Sequence, residues 1–146
     1  MCACFVTKYQ KRISGPLLDR IDIHIEVPRV DYEKLSSDRL GETSASIRAR
    51  VQAARDIQRN RFSNIESMDI ICNTDMRVGE IRQFCKLPEE GQRLMQAAMA
   101  QLNLSARGYH RVLKLARTIA DLAGCEEIQS VHLAEALQYR PKLMLI

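Results

Sequence analysis

Arg20 stands between Asp19 and Asp22 in the run Ser14-Gly15-Pro16-Leu17-Leu18-Asp19-Arg20-Ile21-Asp22. A guanidinium is planar, always charged and forked, so it grips a phosphate bidentately where lysine offers only a point charge. Carboxylates on either side would hold such a cation as a fixed probe. The same spacing also suits a local salt bridge at the end of a strand, an arrangement that is common and weak. A second arginine, Arg107, falls in the first turn of an expected helix, just after the cap residue Ser105. The helix dipole is already positive there, so a cation is disfavoured unless an anion comes to the site. Free amides at the helix start and a guanidinium together bind phosphate well. A solvated charged face accounts for the neighbouring Arg111 and Lys114, and accounts less well for Arg107.

The elements that must position these two arginines are readable from local signals. Gly15-Pro16 marks a turn. Ile21, Ile23, Ile25 and Val27 then alternate with Asp22, His24 and Glu26, the period of two expected for a strand with one apolar face, and Pro28 stops it. Arg20 sits at the strand entrance, and His24 on the polar face reads as a surface residue. Residues 29–43 are polar and irregular, with a short helical turn near residues 32–35, and read as a linker.

From Ser44 onward the pattern is helical. The first long helix covers 44–62, capped by Thr43 or Ser44, with Ile47, Val51, Ala54, Gln58 and Phe62 on one stripe. Arg48, Arg55 and Arg59 line one edge of that stripe and Arg50 and Arg61 the other. Such a helix could hold phosphates or dock on an acidic neighbour, or its arginine stems could cover the rim of a core contact. A second helix is expected over 75–85, capped by Thr74, with Val78, Ile81, Phe84 and Cys85 inward. A third has Pro88 in its first turn and Leu94, Met95, Ala98, Met99 and Leu102 as its apolar face, the methionines read as core filler.

The fourth helix begins at the cap Ser105 and closes at Gly124 in the left-handed position. Tyr109, Val112, Leu113, Ala116, Ile119, Ala120 and Ala123 share its inner face. A fifth, capped by Ser130, spans 131–139 with Val131, Leu133, Ala134 and Leu137 inward. Pro141 ends it ahead of an apolar tail.

Composition narrows the possibilities. A chain of 146 residues fits one domain, or one domain and a fragment of another, and 46% hydrophobic residues allow a real core. The net charge of +4 permits anionic partners without demanding nucleic acid. No apolar run spans a membrane and no signal-peptide pattern is present, so the default location is the cytosol. Five cysteines form no disulfide-like framework, in keeping with a reducing compartment. Cys2-Ala3-Cys4 is half of a zinc site at most, and otherwise two free thiols. There is no G-x-x-x-x-G-K-[ST] loop, no apolar run ending in paired acids and no H-E-x-x-H. The sequence contains no complete active site and no assigned metal ligand.

Several long motifs carry a specific resemblance. They are residues 14–22, the Gly41-Glu42-Thr43-Ser44 approach to the arginine helix, Leu104-Ser105-Ala106-Arg107-Gly108-Tyr109-His110-Arg111, Ala116-Arg117-Thr118-Ile119-Ala120-Asp121-Leu122, and His132-Leu133-Ala134-Glu135-Ala136-Leu137-Gln138-Tyr139-Arg140. In this order, over essentially the whole chain, they resemble the C-terminal part of the magnesium-chelatase-like AAA+ ATPases, in their competence-protein branch. The resemblance implies a mainly α fold: a helical AAA+ lid over 44–146, a linker over 29–43, and over 1–28 a strand-bearing remnant of the α/β AAA+ core. It implies that Arg20 is the arginine finger, reaching the γ-phosphate of ATP on a neighbouring subunit. It implies that Arg107 is sensor 2, touching nucleotide in its own subunit. Cys2 and Cys4 resemble the trailing half of a cysteine-rich segment.

The phosphate loop, the Mg²⁺-binding acids and the N-terminal domain of that family are not in this sequence. The expectation is therefore a piece of a longer protein, an excised fragment or a truncated reading frame, inactive by itself. ATP and Mg would belong to the full-length protein and none to this chain alone. Its partners would be the missing AAA+ core and neighbouring subunits of a homo-oligomer, a hexamer, with DNA as the substrate acted on. The alternative is a stand-alone basic helical module that binds nucleic acid or an acidic protein.

Overall fold

The computed structural model describes residues 17, 20–30, 32, 36, 41–65 and 69–140. The expectations for Cys2, Cys4, the Gly15-Pro16 turn, Asp19 and the apolar tail lie outside them. Five helices are described in full: α1 (Ser44–Phe62), α2 (Val78–Phe84), α3 (Glu89–Leu102), α4 (Ala106–Leu122) and α5 (Ser130–Gln138). A 3₁₀ turn, Asn73–Asp75, precedes α2. The fold is mainly helical, as expected.

Helix α4 is the central element, packing against α1, α2, α5 and the 3₁₀ turn. Its sequence explains why. Val112, Ala116 and Ala120 recur at helical spacing and are fully enclosed, and α5 answers with Leu133 and Ala136, equally enclosed. Small alanines on both sides let the two helices approach closely. Met76, Ile81, Met95 and Ile128 complete the core, with Phe62 meeting Phe84 edge to face at 5.8 Å between ring centres. Met95 is core filler, as its position predicts.

The ends of α4 follow local chemistry. Ser105 Oγ accepts the Gly108 amide at 3.0 Å, which satisfies one orphan donor of the first turn. Gly124 has φ +67°, the left-handed conformation that a residue with a Cβ resists. Between α3 and α4 the chain turns at Asn103, also left-handed at φ 47°.

Several expectations need correction. No strand forms among the described residues, and 21–30 carry no regular secondary structure. A strand needs a neighbouring edge for its backbone groups, and the described residues offer none. The Ile21 carbonyl instead accepts from Arg140 at 3.3 Å and the His24 amide donates to the Tyr139 carbonyl at 2.9 Å. His24 is accordingly half-buried rather than a free surface residue. Only the C-terminal half of the α1 stripe is covered: Ala54, Gln58 and Phe62 are buried, whereas Ile47 and Val51 face solvent.

Helix α2 starts later than expected, at Val78, which is exposed. Its first-turn acid Glu80 accepts the Arg77 amide at 2.7 Å. Pro88 is the cap of α3 rather than within its first turn. In α5 the cap is Gln129, Val131 is exposed and His132 is buried in its place. The His132 ring nitrogen accepts the Gln129 amide at 3.1 Å, so a polar side chain serves the helix start from inside the fold.

Candidate functional site: two exposed arginines on one scaffold

Arg20 is exposed, at a turn whose amide bonds the Leu17 carbonyl at 3.0 Å. Its guanidinium has no ion-pair partner among the described residues. Asp22, expected to flank and hold it, pairs instead with Arg111: Nη1 donates to Asp22 Oδ1 at 2.6 Å. The same nitrogen donates to the Arg20 main-chain carbonyl. The structure therefore fixes the backbone of Arg20, an exposed residue whose guanidinium is unpaired among the described residues. Arg111 is thus more than part of a solvated face.

Arg107 is exposed in the first turn of α4, and its guanidinium likewise has no ion-pair partner among the described residues. It lines a shallow groove of about 400 Å³ together with Arg77, His110, Arg111 and Lys114, floored by Met76 and Ile81. Lys114 is held in place, donating Nζ to the Thr74 carbonyl at 2.7 Å. Arg77 makes only a loose exposed contact with Asp69 at 3.6 Å. Cations converge on this groove where the α4 dipole is also positive, so the local potential favours an anion such as phosphate.

A larger groove of about 730 Å³ runs past Arg61 and Arg117, but these guanidiniums are already engaged. Asp121 is buried at their centre. It accepts both Arg61 terminal nitrogens, Asn73 Nδ2 at 2.8 Å and Arg117 Nε at 3.1 Å. Arg117 completes its bonds on the carbonyls of Glu126 and Cys125, both at 2.7 Å. This cluster is structural. It was not singled out from sequence, although the i,i+4 spacing of Arg117 and Asp121 on the apolar face of α4 is a readable sign of it.

On the basic helix, Arg50 forks onto Glu42 and Arg59 bonds Asp56, both at the surface. Arg61 turns inward, while Arg48 and Arg55 remain exposed. Three or more potential metal ligands do not come together anywhere among the described residues. No described helix is long and apolar enough to cross a membrane.

The sequence is similar to that of known proteins. Residues 41–140 match the family described as magnesium chelatase, subunit ChlI C-terminal, and residues 2–35 match magnesium chelatase, subunit ChlI. Competence protein ComM of Haemophilus influenzae is 43% identical over 143 residues, covering 97% of this chain and 26% of that protein. The YifB protein of Escherichia coli is 40% identical over 134 residues, covering 91% and 25%. That of Salmonella typhimurium is 37% identical over the same length, with the same coverage. The chain thus spans about a quarter of the length of these relatives. With one family profile running from the approach to α1 through the end of α5, the chain belongs to the magnesium-chelatase-like AAA+ family, in its C-terminal part.

Proposed function

We propose that this chain is the lid-bearing C-terminal part of an oligomeric ATPase, a homo-hexamer in the cytoplasm whose ATP hydrolysis drives remodelling of, or translocation along, DNA. In this reading 1–28 carry the finger segment, 29–43 the linker and 44–146 the lid. Arg20 acts in trans as the arginine finger, placing a guanidinium on the γ-phosphate of a neighbour's ATP as charge spreads over the transferring group. Arg107 acts in cis as sensor 2, contacting the phosphates of nucleotide bound by its own subunit. ATP and Mg belong to the full-length protein, whose phosphate loop and acidic residues would hold them. The fragment contributes arginines and a rigid support for them, not a complete site.

One observation carries this reading. Arg20 and Arg107 are both exposed, both without an ion-pair partner among the described residues, and both anchored through their backbones to the same helix. An arginine that only stabilised the fold would be engaged, as Arg61 and Arg117 are. The DNA assignment rests on similarity to a protein named for competence.

The decisive experiment is Arg20→Ala in the full-length ATPase. Hydrolysis should fall by roughly a thousandfold or more, the usual worth of an arginine finger, while ATP binding persists. Unchanged turnover would sink the finger assignment.

A second reading draws on α1, whose N-terminal half is exposed, with Arg48 and Arg55 in no ion pair among the described residues and Ile47 and Val51 uncovered. As a nucleic-acid-binding helix it would give binding by this chain alone, without nucleotide, with a steep salt dependence. Absence of such binding removes this alternative.

A further inference from the structure

Arg111 lies one helical turn beyond Arg107 on α4, so both project from the same side of the helix. Its guanidinium does not enter the groove as a free charge. It reaches across to the segment ahead of the linker, donating to the Arg20 carbonyl and to Asp22. Two further anchors flank it. Arg140 bridges the Ile21 carbonyl at 3.3 Å and the Gly108 carbonyl at 3.4 Å, and the Tyr139 carbonyl takes the His24 amide at 2.9 Å. The segment from Arg20 to His24 is therefore tied to α4 and to the end of α5 through Arg20, Ile21, Asp22 and His24.

The Asp22–Arg111 pair is partly exposed, with side-chain exposures of 45% and 29%, so its worth as bulk stability is small. Its geometric consequence is larger. The carbonyl it fixes belongs to Arg20, and the helix it fixes it to carries Arg107.

Resting on the finger reading of Arg20, we propose that Arg111 is a positioning residue for ATP hydrolysis. It clamps the Arg20 main chain to α4, so that the arginine facing the neighbour's nucleotide and the arginine facing the subunit's own nucleotide move as one body. A lid displaced by nucleotide at Arg107 then carries the finger with it. This gives a direct mechanical route between adjacent sites through a contiguous set of contacts.

The test has two arms. In the 146-residue chain, amide hydrogen exchange at His24 should be slow and should speed up in Arg111→Ala, with the enclosed amides of α4 around Val112 and Ala116 unchanged. In the full-length ATPase, Arg111→Ala should lower kcat roughly tenfold to a hundredfold, the range expected for misplacement of a catalytic group by about 1 Å, with KM for ATP within about twofold. Asp22→Ala removes the carboxylate but leaves the bond to the Arg20 carbonyl, so it should lower kcat in the same direction by less, and the double variant should be no worse than Arg111→Ala alone. Arg111→Lys keeps the charge but not the fork and should recover only part of kcat.

A raised KM with kcat preserved would make Arg111 a nucleotide contact and overturn the clamp. Unchanged His24 exchange, or unchanged kcat where Arg20→Ala abolishes turnover, would also overturn it. If Arg20→Ala itself leaves turnover intact, the finger reading fails and the coupling role falls with it, whatever the exchange arm shows.

Discussion

Arg61 near the end of α1 and Asp121 near the end of α4 meet as a bidentate pair across sixty residues of sequence, with the carboxylate wholly removed from solvent. Asn73 and Arg117 close the remaining acceptor positions, so one carboxylate ties together α1, the 3₁₀ turn, α4 and the loop after it. A fully bonded buried network of this kind is costly to break from within, because the groups left behind are desolvated and unpaired.

Asp121→Ala should therefore destabilise the chain by about 3–5 kcal/mol, the cost of stranding buried charge. Urea unfolding of the chain measures it directly. Asp56→Ala, which removes an exposed pair with Arg59, is the control and should shift stability by less than ~1 kcal/mol. If the two variants unfold alike, the network is not what joins α1 to α4.

This cluster also marks the limit of what the sequence conveys. The bounds of α4 and most of its inner face were legible, because its apolar spacing, its Ser105 cap and its Gly124 stop are all local signals in one stretch, although Ala123 is exposed and Arg117 and Asp121 are buried instead. Arg20 and Arg107 were legible as oddly placed cations for the same reason. Ile47 and Val51 lie on the correct stripe of α1 yet face solvent. Periodicity identifies the face that could be buried, not whether a neighbour reaches it. In α5 the buried register includes His132, a polar residue that an apolar pattern passes over. The alternation of 21–27 is real, but a strand requires an edge that the described residues do not supply. The pairing of Arg111 with Asp22, and of Arg61 with Asp121, depends on which elements end up adjacent, and spacing along the chain does not encode that.

Cys85 offers a pH-dependent test of the core. Burial pushes its thiol up to about 11, opposed weakly by the charges of Arg117 and Arg61. The unfolded thiol, near 9.0, loses its proton first. Stability from this group is therefore complete below about pH 9 and is lost as pH rises toward 11, by roughly 2–3 kcal/mol at most. Urea midpoints taken from pH 8 to pH 11 should fall, and Cys85→Ala should flatten that slope. At pH 8, maleimide should label the half-buried Cys72 and Cys125 well ahead of Cys85. Equal labelling of Cys85 in the folded chain would contradict its enclosure.

Arg107 allows stability and function to be separated in one residue. It places a positive charge in the first turn of α4, where the dipole favours an acid, and no acid stands in that turn. Removing the charge should relieve repulsion, so Arg107→Ala should leave the isolated chain as stable or more stable, by about 0.3–1 kcal/mol at low ionic strength. Arg107→Glu should stabilise it further, and added salt should shrink both gains. In the full-length ATPase the same substitutions should weaken ATP binding, with Arg107→Glu the worse because it sets an anion against phosphate. A residue that costs stability yet supports ligand binding is the pattern of a site maintained for function. Loss of stability in Arg107→Ala, measured by urea unfolding, would instead make Arg107 a structural residue and remove it from the proposed nucleotide site.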